Sequence, residues 1–224
     1  MKKHIVGLTG EGVSAESGIT TFRDADGLWE GHDVMEVATP ECFHANPELV
    51  LDFYNQRRRQ LLEVEPNSAH YDLAALENEY EVTIITQNVD DLHERAGSKN
   101  VIHLHGELMK SRNVMDEFTF FDCKNDLMIG DKCPSGHQLR PHVVWFGEEV
   151  PMMDTAIDVC QTADILLIIG TSMQVYPASG FMHYVPEGTP TYFIDPKPSM
   201  ESKENLIVIP EKATDGMKKL MKLL

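Results

Sequence analysis

Two histidines lie at the end of an apolar stretch, 101–105, that is typical of a buried β-strand. The second, His105, precedes Gly106. Imidazole titrates near pH ~6.5, so His105 can accept a proton from a hydroxyl group near neutral pH. The first, His103, points to the same face of the strand, and we interpret it as structural. The alternative for His105 is also structural, namely a buried histidine whose hydrogen bonds are satisfied within the protein.

A polar cluster of Gln87, Asn88 and Asp90 directly follows the apolar stretch 82–86. The carboxyl ends of parallel strands meet at one crevice of an open sheet, where ligands bind. We therefore expect this cluster and His105 at the same edge. The alternative is a local role, in which Asp90 caps the next helix.

The first apolar stretch ends in a glycine-rich turn, GEGVSA at 10–15. It fits the G-x-G-x-x-G/A pattern of strand-to-helix turns that bind dinucleotides. Gly10 permits a tight turn, Gly12 lets the backbone approach a diphosphate, and the N-terminus of the following helix attracts its negative charge. A glycine turn without a ligand is the alternative.

Tyr54 and Arg57 are three residues apart in a predicted helix, so they share one face of it. A hydroxyl group and a guanidinium group side by side suit a carboxylate, because Arg is always charged and binds carboxylates through a planar fork. Arg58 and Arg59 follow at once, so a solvated basic face is the alternative.

Stretches of strand and helix character alternate along the chain and must position these groups. The predicted strands are 5–9, 82–86, 101–105, 143–146, 165–169, 191–194 and 206–209, and the predicted helices are 47–62, 69–78 and 155–162. Several strands are apolar throughout, as expected for strands covered on both faces. The pattern predicts an α/β fold, a Rossmann-like doubly wound parallel sheet.

Two stretches interrupt the alternation. Residues 31–62 lack a strand signal, and residues 108–139 are polar and contain Gly130, Pro134 and Gly136. We assign both to a small inserted module, a helical segment plus a loop segment. The Rossmann-type domain then consists of 1–30, 63–107 and 140–224.

The charge balance excludes several partners. Lys and Arg number 19 against 36 Asp and Glu, a formal net charge of −17. Nucleic acids and anionic membranes bind proteins chiefly through Lys and Arg, so we expect no nucleic-acid and no membrane partner. We expect a monomer.

The cysteines and the N-terminus indicate the compartment. After Met1 the chain has only a short apolar stretch, 4–8, so we expect no export signal. Widely and irregularly spaced cysteines favour reduced thiols in a cytoplasm. They are Cys42, Cys123, Cys133 and Cys160.

Residues 10–23, GEGVSAESGITTFR, resemble the sirtuins, the NAD-dependent protein lysine deacylases. The resemblance continues in order through TQNVD at 86–90, HLHG at 103–106, RPHVVWFGE at 140–148 and GTS at 170–172. Five ordered motifs at the ends of separate predicted strands are highly specific together. The resemblance implies NAD as cofactor, acylated-lysine proteins as substrates, and nicotinamide, O-acyl-ADP-ribose and free lysine as products.

By this resemblance, His105 is the base that activates a ribose hydroxyl of NAD. Asn88 and Asp90 lie near the nicotinamide, where they could orient its carboxamide while positive charge develops at the anomeric carbon, and Gln87 lies near the nicotinamide ribose. The other cofactor positions implied are Gly10, Glu11, Gly12, Ser14, Ala15, Glu16, Phe22, Arg23, Trp29, Gly170, Thr171, Ser172, Asp195 and Ala213.

Three of these positions have an expected role. Phe22 and Arg23 belong to the mobile cofactor loop of the family, where an arginine can neutralise a phosphate and an aromatic ring can shield the reactive sugar from water. Asp195 could accept hydrogen bonds from ribose hydroxyls, although many relatives carry Asn there.

The resemblance also implies which residues bind the substrate. Val144, Trp145 and Phe146 lie on the strand that in sirtuins pairs with the substrate peptide and lines the acyl-lysine tunnel; a core strand is the alternative. Tyr-x-x-Arg at 54–57 resembles class III sirtuins, which remove succinyl, malonyl and glutaryl groups. The hypothesis is that Tyr54 and Arg57 hold the distal carboxylate of an acidic acyl-lysine.

Two departures from the family pattern stand out. Sirtuins usually carry two Cys-x-x-Cys pairs as a structural zinc site, but this chain offers only Cys123, Cys133 and His137, so we predict no metal. Glu11 replaces the alanine of the family, and its carboxylate beside the expected diphosphate should weaken NAD binding unless it points to solvent.

The sequence thus predicts an NAD-dependent protein-lysine deacylase that prefers acidic acyl groups. Three alternatives stay open: a plain deacetylase, a sirtuin-like enzyme that hydrolyses NAD or transfers ADP-ribose, and a non-catalytic NAD-sensing module.

Overall fold

The computed structural model describes residues 2–20, 28–29, 32–173 and 178–224 of the 224-residue chain. Its strands are β1 (His4–Thr9), β2 (Leu28–Trp29), β3 (His32–Asp33), β4 (Glu81–Thr86), β5 (Val101–His103), β6 (Gly106–Asn113), β7 (Asp116–Asp122), β8 (Leu139–Val143), β9 (Ile165–Ile169), β10 (Thr191–Ile194) and β11 (Leu206–Ile209). Its α-helices are α1 (Val34–Val37), α2 (Pro40–Ala45), α3 (Pro47–Glu63), α4 (Ser68–Ala75), α5 (Leu92–Ala96), α6 (Met153–Cys160) and α7 (Ala213–Leu220).

The main sheet has, within the described residues, six parallel strands in the order β11-β10-β9-β1-β4-β5. β1 is central, and the chain winds outward from it in both directions, which confirms the predicted doubly wound α/β fold. Alternate residues of β1 enter different cores. Ile5 packs with α4 and α7 on one face, and Val6 packs with α6 on the other. Burial on both faces is the reason that these strands are apolar throughout.

The glycines at the topological switch between β1 and β9 are required by contact between two turns. The Gly12 N–H donates to the Gly170 carbonyl at 2.8 Å, and the Gly10 N–H donates to Ile169 at 3.1 Å. A Cβ on Gly12 would lie 2.7 Å from the Gly170 Cα, and Gly170 itself has a φ of +62°. Side chains at these positions would force the two turns apart.

One expectation about this turn is wrong. The residues after Gly10 form two short 3-10 helices, Glu11–Val13 and Ala15–Ser17, rather than an α-helix. The side-chain amide of Asn67 donates to the Val13 carbonyl at 2.8 Å, and Gly18 adopts a φ of 98° that ends the second 3-10 helix. Such short helices give little dipole, so the expected attraction of a diphosphate to a helix N-terminus is reduced.

The small module contains strands that sequence patterns did not predict. β7, β6 and β8 form, in that order, an antiparallel sheet across residues 106–143. The predicted strand at 143–146 is wrong in place, because β8 ends at Val143 and belongs to this smaller sheet. After β8 the backbone of Val144, Trp145 and Phe146 is irregular. The Val144 N–H donates to the backbone carbonyl of His105. The domain boundaries stay a prediction.

A buried side chain, that of Asn55, bonds the helix α3 to the segment that follows β7. The Nδ2 group of Asn55 donates to the Leu127 carbonyl at 2.9 Å, and its Oδ1 accepts the Leu127 N–H at 2.8 Å. The Oδ1 atom also accepts from Arg58 at 2.7 Å. These bonds fix the helix that carries Tyr54 and Arg57.

Among the helices of the described ranges, none is both long enough and apolar enough to cross a membrane.

Candidate active site

A cavity of about 930 Å³ lies at the carboxyl ends of the main-sheet strands and extends to α3. Its wall includes the sequence-predicted residues Gly10, Glu11, Gly12, Ser14, Ala15, Glu16, Tyr54, Arg57, Gln87, Asn88, Asp90, His105, Val144, Trp145, Phe146, Gly170, Thr171, Ser172 and Asp195. Motifs separated by up to 185 residues therefore meet at one site, since 195 − 10 = 185.

One predicted position among the described residues does not contribute to this wall. Ala213 is buried in the core at the start of α7, and the preceding residue, Lys212, lines the cavity instead. Phe22 and Arg23 lie outside the described residues, as does the side chain of Trp29.

His105 presents one ring nitrogen as a base. Its Nδ1 lies 3.0 Å from the Gln87 carbonyl oxygen, which can only accept, so Nδ1 carries the proton and Nε2 keeps its lone pair. Burial lowers the pKa of His105 below 6.5, although the Gln87 bond opposes this. A neutral His105 at working pH is the form that accepts a proton.

A buried serine links the glycine turn to the polar loop 87–90. His70 accepts the Asn67 N–H at Nδ1, so its Nε2–H points at Ser14 Oγ, 3.3 Å away. The Ser14 hydroxyl then donates to Asp90 at 2.9 Å and accepts from the Asn88 amide at 3.1 Å. This network fixes the orientation of both loop side chains.

Asp90 has a local role as well. Its Oδ1 accepts the Leu92 N–H at 3.1 Å, at the start of α5, as in the capping alternative. Burial raises the pKa of Asp90, and the bonds from Leu92 and Ser14 oppose that rise. One carboxylate therefore both caps α5 and faces the cavity.

The Asn88 amide oxygen is a buried acceptor in the cavity wall without a hydrogen-bond partner. The Nδ2 bond to Ser14 fixes the amide, so the oxygen cannot turn away. An unsatisfied buried acceptor costs ~1–3 kcal/mol, which a ligand donor would recover. The –NH₂ group of a nicotinamide carboxamide is such a donor, so the residues present fit NAD.

At the other end of the cavity, Gln87 donates to Thr171 at 3.0 Å, which joins the loops after β4 and β9. Asp195 follows β10 and accepts the Lys197 N–H at 2.8 Å. Lys197 and Lys212 also line the cavity, and the sequence reasoning missed both cations. The signal available was their nearness to predicted positions, two residues after Asp195 and one before Ala213.

Glu16 holds the first turn of the chain to the last helix. Its carboxylate accepts the N–H and the hydroxyl of Thr214, both at 3.0 Å, in the first turn of α7. Carboxylates are stabilised at helix N-termini. Glu16 thus lines the cavity while its charge is engaged with α7.

The end of the cavity at α3 carries Tyr54, which is fully buried. The indole Nε1–H of Trp145 donates to the Tyr54 oxygen at 2.9 Å, so the phenol proton is left to be donated elsewhere. Burial raises the pKa of Tyr54, which keeps the phenol protonated. Arg57 is also buried and lines the cavity, with its Cζ 5.9 Å from the centroid of the Phe53 ring.

Trp145 is clamped by charged side chains on its other side. Arg140 stacks on the indole, with Cζ 3.3 Å from the ring centroid, and pairs with Glu148 at 2.6 Å. Glu148 also accepts the Trp145 N–H at 2.8 Å and pairs with Arg112 at 3.2 Å. Burial would raise the pKa of Glu148, but the two arginines hold it below its usual value.

The small module has a second cavity, of about 330 Å³, lined by Cys123 and Cys133. The Cys133 sulfur lies 2.9 Å from the Ser135 hydroxyl, and the Cys123 thiol donates to Asn125 at 3.5 Å. In the ranges that the structure describes, no cluster of three or more His, Cys, Asp or Glu side chains could hold a metal ion. The prediction of a metal-free module stays a prediction.

We expect acid to destabilise the protein through His70. Burial lowers its pKa to about 4 from 6.5, so below pH 6.5 the unfolded chain binds a proton that the folded protein refuses. The free energy of unfolding should fall by up to ~1.4 kcal/mol per pH unit between pH 6.5 and 4 through this group, with His93 acting in the same direction.

Urea unfolding of the wild type, His70→Gln and His44→Gln at pH 6.5, 5.75 and 5.0 measures this slope. His44 is exposed on α2 and is the matched control. His70→Gln should flatten the slope and His44→Gln should not; equal slopes in all three proteins would contradict the prediction.

The comparisons with known proteins agree with the geometry. The model of the Sir2 family matches residues 10–177. The chain is 54% identical to a Helicobacter pylori protein named NAD-dependent protein deacylase, over 98% of this chain and 96% of the relative. It is 51% identical to a Bacteroides thetaiotaomicron protein of the same name, over 99% and 98%.

Solved structures give the same result. A Sir2 homolog–NAD complex has a TM-score of 0.88 at 40% identity, and covers 99% of this chain and 89% of its own. A mutant Sir2 homologue in complex with ADP-ribose has a TM-score of 0.90 at 40% identity, with 99% and 91% covered.

Proposed function

Because the chain belongs to the Sir2 family and is an NAD-dependent protein deacylase, we propose that it prefers acyl-lysines whose acyl group ends in a carboxylate. The observation that carries this proposal is the buried pair of Tyr54 and Arg57 at the α3 end of the cavity that also contains His105. A succinyl or malonyl group would place its distal carboxylate against this pair.

Two features of the pair support a carboxylate ligand. The Trp145 indole N–H donates to the Tyr54 oxygen, so the Tyr54 hydroxyl can donate its own proton to a ligand. Arg57 is always charged, and a buried guanidinium group is stabilised by a carboxylate that it binds through two parallel bonds.

The local charge supports the same choice. Arg112 and Arg140 pair with the carboxylate of Glu148 beside Trp145, and the positive charge of Arg57 acts on Tyr54. Charges at short range are screened little by salt, whereas the −17 of the whole chain is spread over the surface. The cavity therefore attracts an acidic acyl group although the protein as a whole is acidic.

The residues divide the work of deacylation as follows. When bound, NAD supplies the ADP-ribose that accepts the acyl group as nicotinamide leaves. Asn88 and Asp90, fixed by Ser14, would hold the carboxamide, and His105 Nε2 would take the proton of the attacking ribose hydroxyl. Trp145 and the backbone at 144–146 hold the acyl-lysine and exclude water.

We expect Tyr54→Phe to lower the ratio of desuccinylation to deacetylation. The substitution keeps the ring, which packs edge-on against Phe53 with centroids 5.0 Å apart, and removes only the hydroxyl. Loss of one hydrogen bond to a charged group, ~1.5 kcal/mol, should reduce the kcat/KM ratio about tenfold. The measurement is kcat/KM on matched acetyl, succinyl and malonyl peptides.

Tyr71→Phe, at a half-exposed tyrosine of α4, is the matched control. A wild-type enzyme that turns over acetyl peptide as fast as succinyl peptide would refute the acidic preference. Nicotinamide release without any acyl peptide would instead favour NAD hydrolysis.

A further inference from the structure

A second histidine lies behind the candidate site and contacts two acceptors. His103 Nδ1 is 3.1 Å from the Asn88 carbonyl oxygen, and Nε2 is 2.7 Å from a carboxylate oxygen of Glu94. A carbonyl and an ionised carboxylate can only accept hydrogen bonds. His103 therefore satisfies both contacts only when both ring nitrogens carry protons, that is, as an imidazolium ion with Glu94 as its counter-charge.

The two histidines hold consecutive carbonyl groups of one loop. His105 donates to the carbonyl of Gln87, and His103 donates to the carbonyl of Asn88. Glu94 lies on α5, whose first residue follows this loop directly. A chain of contacts thus runs from α5 through His103 of β5 to the peptide that carries the Asn88 amide.

We propose that His103, held as an imidazolium ion by Glu94, is a positioning residue that fixes the Asn88 peptide and so the loop on which NAD-dependent deacylation depends. This inference rests on the proposed role of Asn88 and His105. It goes beyond the sequence interpretation of His103 as structural, because the protonation state of His103 would then matter to the reaction.

The surroundings of His103 favour its charge. Burial alone would lower the pKa of His103, but the hydrogen bond and charge of Glu94, together with Asn88 and Glu107, raise it above 6.5. The ionisable groups that face His103 or its partner are Glu94 and His93 on α5, Asp90 in the loop, and Glu107 and Lys110 on β6.

The expected pH dependence follows from this geometry. When His103 loses a proton, the remaining proton stays on Nε2 beside the charged Glu94, because that is the stronger bond, and the Asn88 carbonyl loses its donor. The kcat/KM for NAD should then fall as the pH rises through the pKa of His103. Protonation of His105 lowers the activity in the opposite direction, toward acid. The effects of the two histidines on the pH profile can therefore be separated.

The test compares Glu94→Gln with Glu65→Gln. The first keeps the shape and an acceptor but removes the charge beside His103. The second neutralises a carboxylate that pairs with Arg95 of the same helix α5 and lies outside the cavity wall. For Glu94→Gln we expect the alkaline limb of kcat/KM for NAD to move about one pH unit lower, about a tenfold loss on that limb, with little change near pH 6.

Glu65→Gln should keep the wild-type profile. A loss that is the same at every pH, or no loss, would overturn the proposal, because a merely structural contact has no reason to shift a pH limb. Should Glu94→Gln fail to fold, ring-nitrogen NMR of the wild type decides: His103 mostly protonated on both nitrogens at pH 6.5 supports the proposal, and a mostly neutral ring at that pH overturns it.

Failure of this inference is distinguishable from failure of the proposed function. If His105→Ala is inactive while the pH profile of Glu94→Gln is unchanged, only the role of His103 is wrong. If His105→Ala retains full activity, the assignment of the site itself is wrong.

Discussion

We expect His105→Ala to lower kcat/KM for deacylation by about 10²–10⁴-fold, the range that a positioned general base contributes. The reason is geometric: the Gln87 carbonyl fixes the proton on Nδ1, so Nε2 is the base that faces the cavity. Without it the ribose hydroxyl loses the base that is positioned to take its proton. The measurement follows nicotinamide, O-acyl-ADP-ribose and deacylated peptide together.

The control for this substitution is His44→Ala, at an exposed histidine of α2. NAD affinity, measured by calorimetry, should stay within about threefold of wild type in both variants, since removal of a general base affects the transition state more than the bound ground state. A His105→Ala enzyme with more than a tenth of wild-type activity would contradict the assignment.

The pH profile of the wild type tests the same residue. Burial lowers the pKa of His105 below 6.5, and the base works only when neutral. The kcat/KM should therefore fall on the acid side with a midpoint below pH 6.5, and this acid limb should be missing from the residual activity of His105→Ala.

The second large effect is expected from Arg57→Met. The substitution removes the charge from the buried pair with Tyr54 but keeps much of the apolar length of the side chain. A carboxylate that loses two charge-assisted bonds loses ~3 kcal/mol, so the ratio of succinyl to acetyl kcat/KM should fall about 100-fold. Acetyl turnover should be maintained, because an acetyl group carries no distal carboxylate for the guanidinium group to bind.

Arg59→Met is the matched control for this prediction. Arg59 lies two residues farther along α3, its side chain is 55% exposed, and it faces Asp52 and Asp126 on the surface. Both substrates are measured on one preparation, so a change in protein stability cancels from the ratio. An unchanged ratio in Arg57→Met would remove the basis for acidic acyl selectivity.

The strands of the main sheet were predictable because the apolar pattern of each strand lies within its own few residues. Stretches such as 165–169 are apolar at every position, which only a strand covered on both faces requires. The strands β6 and β7 were missed because more than half of their residues are polar, and even buried positions such as Ser111 and Arg112 carry polar side chains. The pattern at 108–139 therefore resembled a loop.

The site was predictable as far as its motifs reach. His105, Asn88 and the glycine turn are identified by short sequence patterns at strand ends. The side chains that orient or charge the site residues were not predictable. His70, Glu94 and Arg140 act through partners that only the packing of the fold brings close. Ser14 and His70, for example, are 56 residues apart in sequence, and no local pattern joins them.

The contact between Gly12 and Gly170 has a consequence for how the protein matures. The two turns are 158 residues apart, since 170 − 12 = 158, so the first cannot pack against the second until most of the chain has been synthesised. Glu16 adds a similar requirement, because its partner Thr214 lies on the last helix. A ribosome-bound fragment that ends before β9 should therefore bind no NAD. On this view NAD binds at the end of folding and not at an early step.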